Sequence, residues 1–90
     1  MIGSVEMVTD KSGEAAVPDI RDWAGRIARA TDDRVEASVY YDGDSSTYVL
    51  RLAKGARVLL FRLSEAQVRT PARAAECEKT LKRKIKDLSS

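Results

Sequence analysis

The sequence contains no histidine and very little cysteine. Among its 90 residues histidine is absent, and Cys77 is the single cysteine. Without an imidazole the chain cannot form a Ser-His-Asp or Cys-His triad, and it lacks the commonest general base and the commonest metal ligand. No acid and base at a recognisable spacing take its place. We therefore expect a protein that is not an enzyme and that holds neither a cofactor nor a metal ion.

Cys77 itself favours a structural role. One cysteine cannot form an intrachain disulfide, which suits a reducing compartment such as the cytoplasm. Cys77 falls on the apolar stripe of a predicted helix, between Glu76 and Glu78, and neighbouring carboxylates raise the pKa of a thiol. A reactive thiol needs an exposed, electropositive setting, so we interpret Cys77 as a buried packing residue and not as a nucleophile.

Long apolar segments are absent as well. The longest uninterrupted apolar run is Val58 to Phe61, whereas a membrane-spanning helix needs about 18 or more such residues. The N-terminus has no basic region followed by a long apolar segment, which a secretory signal would have. We expect a soluble, cytoplasmic protein without a membrane partner.

The composition that remains is that of one small globular domain. Apolar residues make up 43% of the chain and charged residues 33%, enough apolar material for a core at a length that allows only one. The net charge is +2, but residues 1–45 carry ten acidic and five basic side chains, whereas residues 46–90 carry four and eleven. The N-terminal half of the sequence is therefore acidic and the C-terminal half is basic.

The first 17 residues have no sustained hydrophobic period. Glycine, serine and acidic residues surround a short apolar patch of Val5, Met7 and Val8. We expect residues 1–17 to form a flexible N-terminal arm and residues 18–90 a single α+β domain. Pairing of the apolar patch as an edge strand is the alternative.

Two segments have the period of amphipathic helices. Pro18 suits a first helical turn, and Thr70 followed by Pro71 predicts a second helix start; the loop expected before it covers Ser64 to Arg69. We interpret Trp23 as a core residue in preference to a ligand-stacking one, and Gly25 as a point of close approach between helix and sheet. The two apolar stripes are Ile20, Trp23, Ala24, Ile27 and Ala28, and Ala74, Cys77, Leu81, Ile85 and Leu88.

Three runs between the helices alternate apolar and polar residues, as half-buried strands do. They begin at Val35, Thr47 and Val58, and short turns separate them. We predict a three-stranded antiparallel sheet with two helices packed on one face, an α-β-β-β-α sandwich. The third run is apolar on both faces, which favours a central or covered strand.

The turn after the first strand, Asp42 to Ser46, has oxygen ligands at positions 1, 3 and 5 of a calcium loop. Position 6 is Thr47 instead of glycine, and position 12 is Ala53 instead of a bidentate glutamate. We therefore interpret this segment as a turn built from turn-forming residues and predict no metal site.

The sheet face away from the helices is the first candidate functional surface. A small monomer rarely leaves several aligned apolar side chains in water, so we expect this face to bind a second copy or another protein. The alternative is that the N-terminal arm folds over it. The candidate residues are Tyr40, Val49, Arg51, Val58, Leu60 and Arg62.

A cluster of cations near the end of the last helix is the second candidate surface. Such a cluster attracts phosphates, although a solvated helix end has the same composition, so weak binding of RNA or DNA is the alternative function. The cluster consists of Lys79, Lys82, Arg83, Lys84 and Lys86.

The order α-β-β-β-α over Pro18 to Leu88 resembles that of the double-stranded RNA-binding domain. In that family the turn between the first two strands and a basic cluster at the start of the last helix contact RNA. Here that turn contains Asp42 and Asp44, and the basic cluster lies at the other end of the helix. The resemblance concerns topology alone and assigns no binding residue.

Overall fold

A computed structural model describes residues 7–89 of the chain, and for residue 89 it describes the main chain only. A short 3-10 helix, Gly13–Ala16, precedes helix α1, Val17–Thr31. Strands β1, Glu36–Asp42, β2, Thr47–Lys54, and β3, Arg57–Ser64, follow. The described chain ends with helices α2, Glu65–Arg69, and α3, Pro71–Ser89.

The three strands form one antiparallel sheet in the order β1-β2-β3. Cross-strand pairing is continuous, from Glu36 opposite Ala53 to Asp42 opposite Thr47, and on the other side from Lys54 opposite Arg57 to Thr47 opposite Ser64. Because side chains alternate between the two faces, one face of β2 presents Tyr48, Leu50 and Leu52 to the helices. The predicted α+β sandwich is confirmed.

Both predicted apolar stripes face the sheet. Every residue of the two stripes is buried, and nine of the ten join Tyr48, Leu50 and Leu52 in the core. Trp23 is 9% exposed and belongs to this core, whereas Phe61 packs at its border, with the Lys84 ammonium 5.6 Å from its ring centre. The core therefore lies between α1, α3 and one face of the sheet.

Two backbone positions in the hairpins require a positive φ. Gly55, with φ 60°, is the first residue of the two-residue loop between β2 and β3, as a type II′ turn demands. Ser46, with φ 55°, ends the four-residue loop between β1 and β2. The tight hairpin predicted at Lys54 and Gly55 is confirmed, and the turn at residues 42–46 occupies the expected place.

Within the predicted loop Ser64 to Arg69, Ser64 ends β3 and the other residues form helix α2, so the predicted loop is wrong. The Ser64 hydroxyl accepts a hydrogen bond from the Gln67 amide at 3.1 Å, and the Gln67 side chain accepts one from the Ser64 amide at 2.7 Å. This reciprocal capping box fixes the first turn. Val68, 1% exposed, then packs into the core.

Two further expectations fail for identifiable reasons. β3 is neither central nor covered: it lies at an edge of the sheet, because the chain crosses the sheet in simple up-and-down order, and its Val58 and Leu60 are exposed. The three atoms nearest to a side chain added at Gly25 would all belong to the Arg29 guanidinium, the closest at 3.4 Å. Gly25 therefore accommodates an arginine of its own helix, not the approach of the sheet.

The part of the expected arm that the structure describes packs against the helical layer. The Val8 amide donates a hydrogen bond to the Val68 carbonyl at 2.8 Å, and the Tyr48 hydroxyl donates one to the Gly13 carbonyl at 3.2 Å. Ala16 is fully buried. Packed structure thus begins before residue 17, and the mobility of this segment stays a prediction. Val5 lies outside the described residues.

Candidate functional site

Cross-strand pairing places the six predicted partner-face residues on the sheet face away from the helices. They occupy adjacent rows: Ser38, Arg51 and Leu60 form one, and Tyr40, Val49 and Arg62 the next. The adjoining row contains Glu36, Ala53 and Val58. We call this surface the open face.

The open face exposes large apolar side chains around a buried floor. Leu60 is 59% exposed, Tyr40 55% and Val58 50%, whereas Val49 is 1% exposed. Val49 sits on the central strand between Tyr40 and Arg62, so its neighbours on the outer strands flank it on both sides. The described part of the N-terminal segment lies on the other side of the sheet, where Val8 packs against the core.

The charges on the open face are balanced. The Arg62 guanidinium lies 3.4 Å from an Asp42 carboxylate oxygen and donates a hydrogen bond to the Thr47 hydroxyl at 3.1 Å. A hydrogen bond from Ser45 and a weaker one from Arg62 lower the pKa of Asp42. Within residues 7–89 no other charged group of this face forms an ion pair. The remaining two charged residues of the face are Glu36 and Arg51.

Four of the five cations predicted as nucleic-acid contacts share the outer surface of α3. At 100° per residue, they fall within an arc of about 100° opposite the apolar stripe. Lys82 forms an ion pair with Glu78 at 3.1 Å. The fifth, Lys84, lies on the flank of the helix over the Phe61 ring. The outer four are Lys79, Lys82, Arg83 and Lys86.

Cys77 has the environment of a packing residue. Its side chain is buried in the core, and burial, with a smaller contribution from Glu76, raises the pKa of the thiol. A raised pKa lowers the fraction of thiolate, the nucleophilic form. Among the described residues no group of three or more metal-ligating side chains is present, and no described helix is long and apolar enough to cross a membrane.

One feature was missed from the sequence, a groove lined by arginines between α1 and the outer edge of β1. The arginines of α1 lie outside its apolar stripe, where they read as an ordinary solvated face. Only the fold adds Arg51, which comes from the central strand, directly across from Ser38. The four arginines of the groove are Arg21, Arg26, Arg29 and Arg51.

Comparisons with known proteins give no family for this chain. No protein-family model matches it, and neither a curated protein nor a solved structure is significantly similar to it.

Proposed function

We propose that this protein is a non-enzymatic interaction module whose open face binds a second copy of the chain. The observation that supports this proposal is the alignment of Tyr40, Val58 and Leu60, each at least half exposed, over the buried Val49. Contiguous apolar surface of this kind on a small domain is typical of a protein-binding site.

Charge balance favours a second copy as the occupant. The open face carries two arginines, Arg51 and Arg62, and two carboxylates, Glu36 and Asp42. A two-fold axis brings one surface against itself, so a face with strong net charge would repel its copy. A neutral face does not, and its exposed leucine and valine would then be removed from water.

The size of the open face predicts a weak dimer. Three strands of seven to eight residues give a face of roughly 14 by 25 Å, which is a flat area on the order of 350 Å². Protruding side chains add to this area. A standard interface buries about 800 Å² on each partner. We therefore expect a dimer in rapid exchange with monomer, populated at high protein concentration.

Sedimentation velocity over a wide concentration range tests this proposal. The wild-type protein should show a concentration-dependent shift from monomer to dimer, and Leu60→Glu should remain monomeric because it places a charge at the centre of the interface. Met7→Glu is the matched control, since Met7 is also exposed but precedes the segment that packs on the helical layer. Circular dichroism should report the same fold for all three proteins.

Two outcomes would contradict the dimer. One is a wild-type protein that stays monomeric at the highest concentration; the other is a Leu60→Glu variant that dimerises as well as wild type.

A second candidate function, weak nucleic-acid binding, is supported by the outward arc of cations on α3. If Lys82, Arg83 and Lys86 contact phosphates, duplex or single-stranded RNA or DNA should bind at low salt with an affinity that falls steeply as salt rises. Replacing these three residues with Gln should remove binding, whereas replacing Arg21, Arg26 and Arg73 should not. An absence of binding at low salt would end this candidate.

A further inference from the structure

The groove between α1 and the outer edge of β1 concentrates arginine side chains. Arg26 and Arg29 come from the helix, and Arg51 reaches the groove from the central strand. None of these three forms an ion pair within residues 7–89, and the contact of Arg21 with Asp22 is long, at 3.9 Å. Arginines without carboxylate partners are available to bind an anionic group in bidentate geometry.

The groove also contains acidic side chains, but fewer. They are Asp22, Asp33 and Glu36. Four arginines face three carboxylates, so the groove retains a positive charge. Its floor is apolar, because Val35 and Ala37 line it beside the backbone of β1.

The outer edge of β1 offers free backbone groups along this groove. Lys54 and Arg57 close a two-residue loop, so they form a hydrogen-bonded pair, and bonded pairs alternate along antiparallel strands. Lys54, Leu52, Leu50 and Tyr48 of β2 therefore bond to β3, and the residues between them bond to Glu36, Ser38, Tyr40 and Asp42 of β1. The N–H and C=O groups of Ala37, Val39 and Tyr41 consequently point away from the sheet. Within residues 7–89 no hydrogen bond from outside the sheet reaches the main chain of these three residues.

A strand edge with free donors and acceptors matches another peptide strand better than a nucleic acid. Phosphate oxygens can accept from the free N–H groups, but they repel the free carbonyl groups that alternate with them. A peptide supplies both partners, as in strand addition. The middle of β1, Ala37 to Tyr41, contains no proline, lysine or bulge to block such pairing.

The arginines of the groove favour an added strand that carries negative charge. The β1 edge of a second copy would bring its own arginines into the same groove, and like charges in one site disfavour that partner. We propose that the outer edge of β1 binds an extended acidic peptide segment of a partner protein as an added strand, with its carboxylates against Arg29 and Arg51. This site borders the open face and shares Glu36, Ser38 and Arg51 with it, but it uses the free edge of β1 and does not depend on dimerisation.

Fluorescence anisotropy tests this proposal with a labelled peptide in which pairs of adjacent Glu alternate with pairs of Val, so that both faces of the added strand carry carboxylates. The peptide should be about seven residues long, to match β1, and should bind the full chain. The same peptide with Lys in place of Glu should not bind, because the groove is cationic. A version methylated on the alternate amides that would face β1 should also fail, because methylation removes the donors of the added strand.

Protein variants locate the site. Arg29→Glu combined with Arg51→Glu should weaken peptide binding at least about tenfold, whereas Arg73→Glu combined with Arg83→Glu, which changes the charge equally on α3, should weaken it far less. Amide hydrogen exchange should slow at Ala37 and Val39 in the complex.

Several results would overturn the proposal. They are failure of the acidic peptide to bind, equal binding of the methylated peptide, or unchanged exchange at Ala37 and Val39. If oligo(dT) binds the groove and the double variant at Arg29 and Arg51 abolishes that binding while the peptide does not bind, the groove is a phosphate site and the assignment to a peptide is wrong.

Discussion

Single residues in the first hairpin illustrate how local geometry selects side chains. Asp42 accepts a hydrogen bond from the Asp44 amide at 3.1 Å, and the hydroxyls of Ser45 and Thr47 lie 2.6 Å apart. These bonds explain why a segment with the oxygen pattern of a calcium loop folds as a turn: its oxygens bond within the turn itself. Among the non-glycine residues of 7–89, Ser46 alone has a positive φ, a conformation that a side chain disfavours.

Ser46→Gly should stabilise the protein. A non-glycine residue in the left-handed region carries a penalty of about 1 kcal/mol that glycine avoids, so we expect the free energy of unfolding to rise by roughly 0.5 to 1 kcal/mol. Urea denaturation measures this change. Ser45→Gly is the control: Ser45 has no positive φ and bonds to Thr47, so this substitution should destabilise. Equal effects of the two substitutions would contradict the argument.

At the scale of elements, the long helices could be predicted from their period, whereas the short one had only its cap as a signal. The stripes of α1 and α3 repeat over several turns, so spacings of three and four residues identify their buried faces. α2 spans five residues, too few for a period to appear. Its only sequence signal is the pair Ser64 and Gln67 at the spacing of a capping box, which was available and overlooked.

The capping box makes α2 dependent on one hydroxyl. Ser64→Ala should lower the free energy of unfolding by about 1 kcal/mol, because the Gln67 amide loses its acceptor. Thr80→Ala is the control, since the Thr80 hydroxyl bonds only to a carbonyl of its own helix. In a double-mutant cycle, Gln67→Ala should add little to Ser64→Ala. Additive losses would show that the two side chains act independently.

In the sheet, the open face could be predicted from the sequence, whereas the arginine groove could not. Alternation along each strand assigned the six residues of the open face correctly to one face, because the period of two is fixed by the pleat. The arginine groove was missed because its members lie on α1 and β2, and only the register that sets Arg51 beside Ser38 brings them together. Long-range pairing of that kind has no local signal.

The whole molecule contains no histidine, the side chain whose ordinary pKa lies between mildly acidic and neutral pH. At the acidic side, a hydrogen bond from Thr9 and contacts from Lys11 lower the pKa of Asp19, and Ser45 and Arg62 lower that of Asp42. At the alkaline side, burial raises the pKa of Cys77 and of Tyr48. The free energy of unfolding, plotted against pH, should therefore have a plateau near neutral pH and fall on both sides, in an acidic limb and an alkaline limb.

The signs of the two limbs follow from proton linkage. Below 3.8, the ordinary value for aspartate, the unfolded chain binds more protons than the folded one, so stability falls as pH drops through the lowered pKa values. Above 9.0, the ordinary value for the thiol, the unfolded chain releases its proton first, so stability falls as pH rises. Urea denaturation across the pH range measures both limbs.

Two variants separate the limbs. Asp19→Asn should flatten part of the acidic limb, and Cys77→Ala should remove the thiol contribution to the alkaline limb while lowering stability at all pH values through lost packing. A decline between pH 5 and 8 in the wild-type protein would contradict the linkage argument, because no described group with a shifted pKa titrates there.

The position of the single tryptophan has an optical consequence. Trp23 lies in the helix–sheet core, and Tyr40 is the most exposed of the tyrosines, on the opposite side of the sheet. Indole emission should shift to longer wavelength when the core opens to water and should stay unchanged when the open face is covered. Phenol emission, to which the exposed Tyr40 contributes, should change when the open face is covered. One unlabelled sample therefore distinguishes unfolding from association by the choice of wavelength.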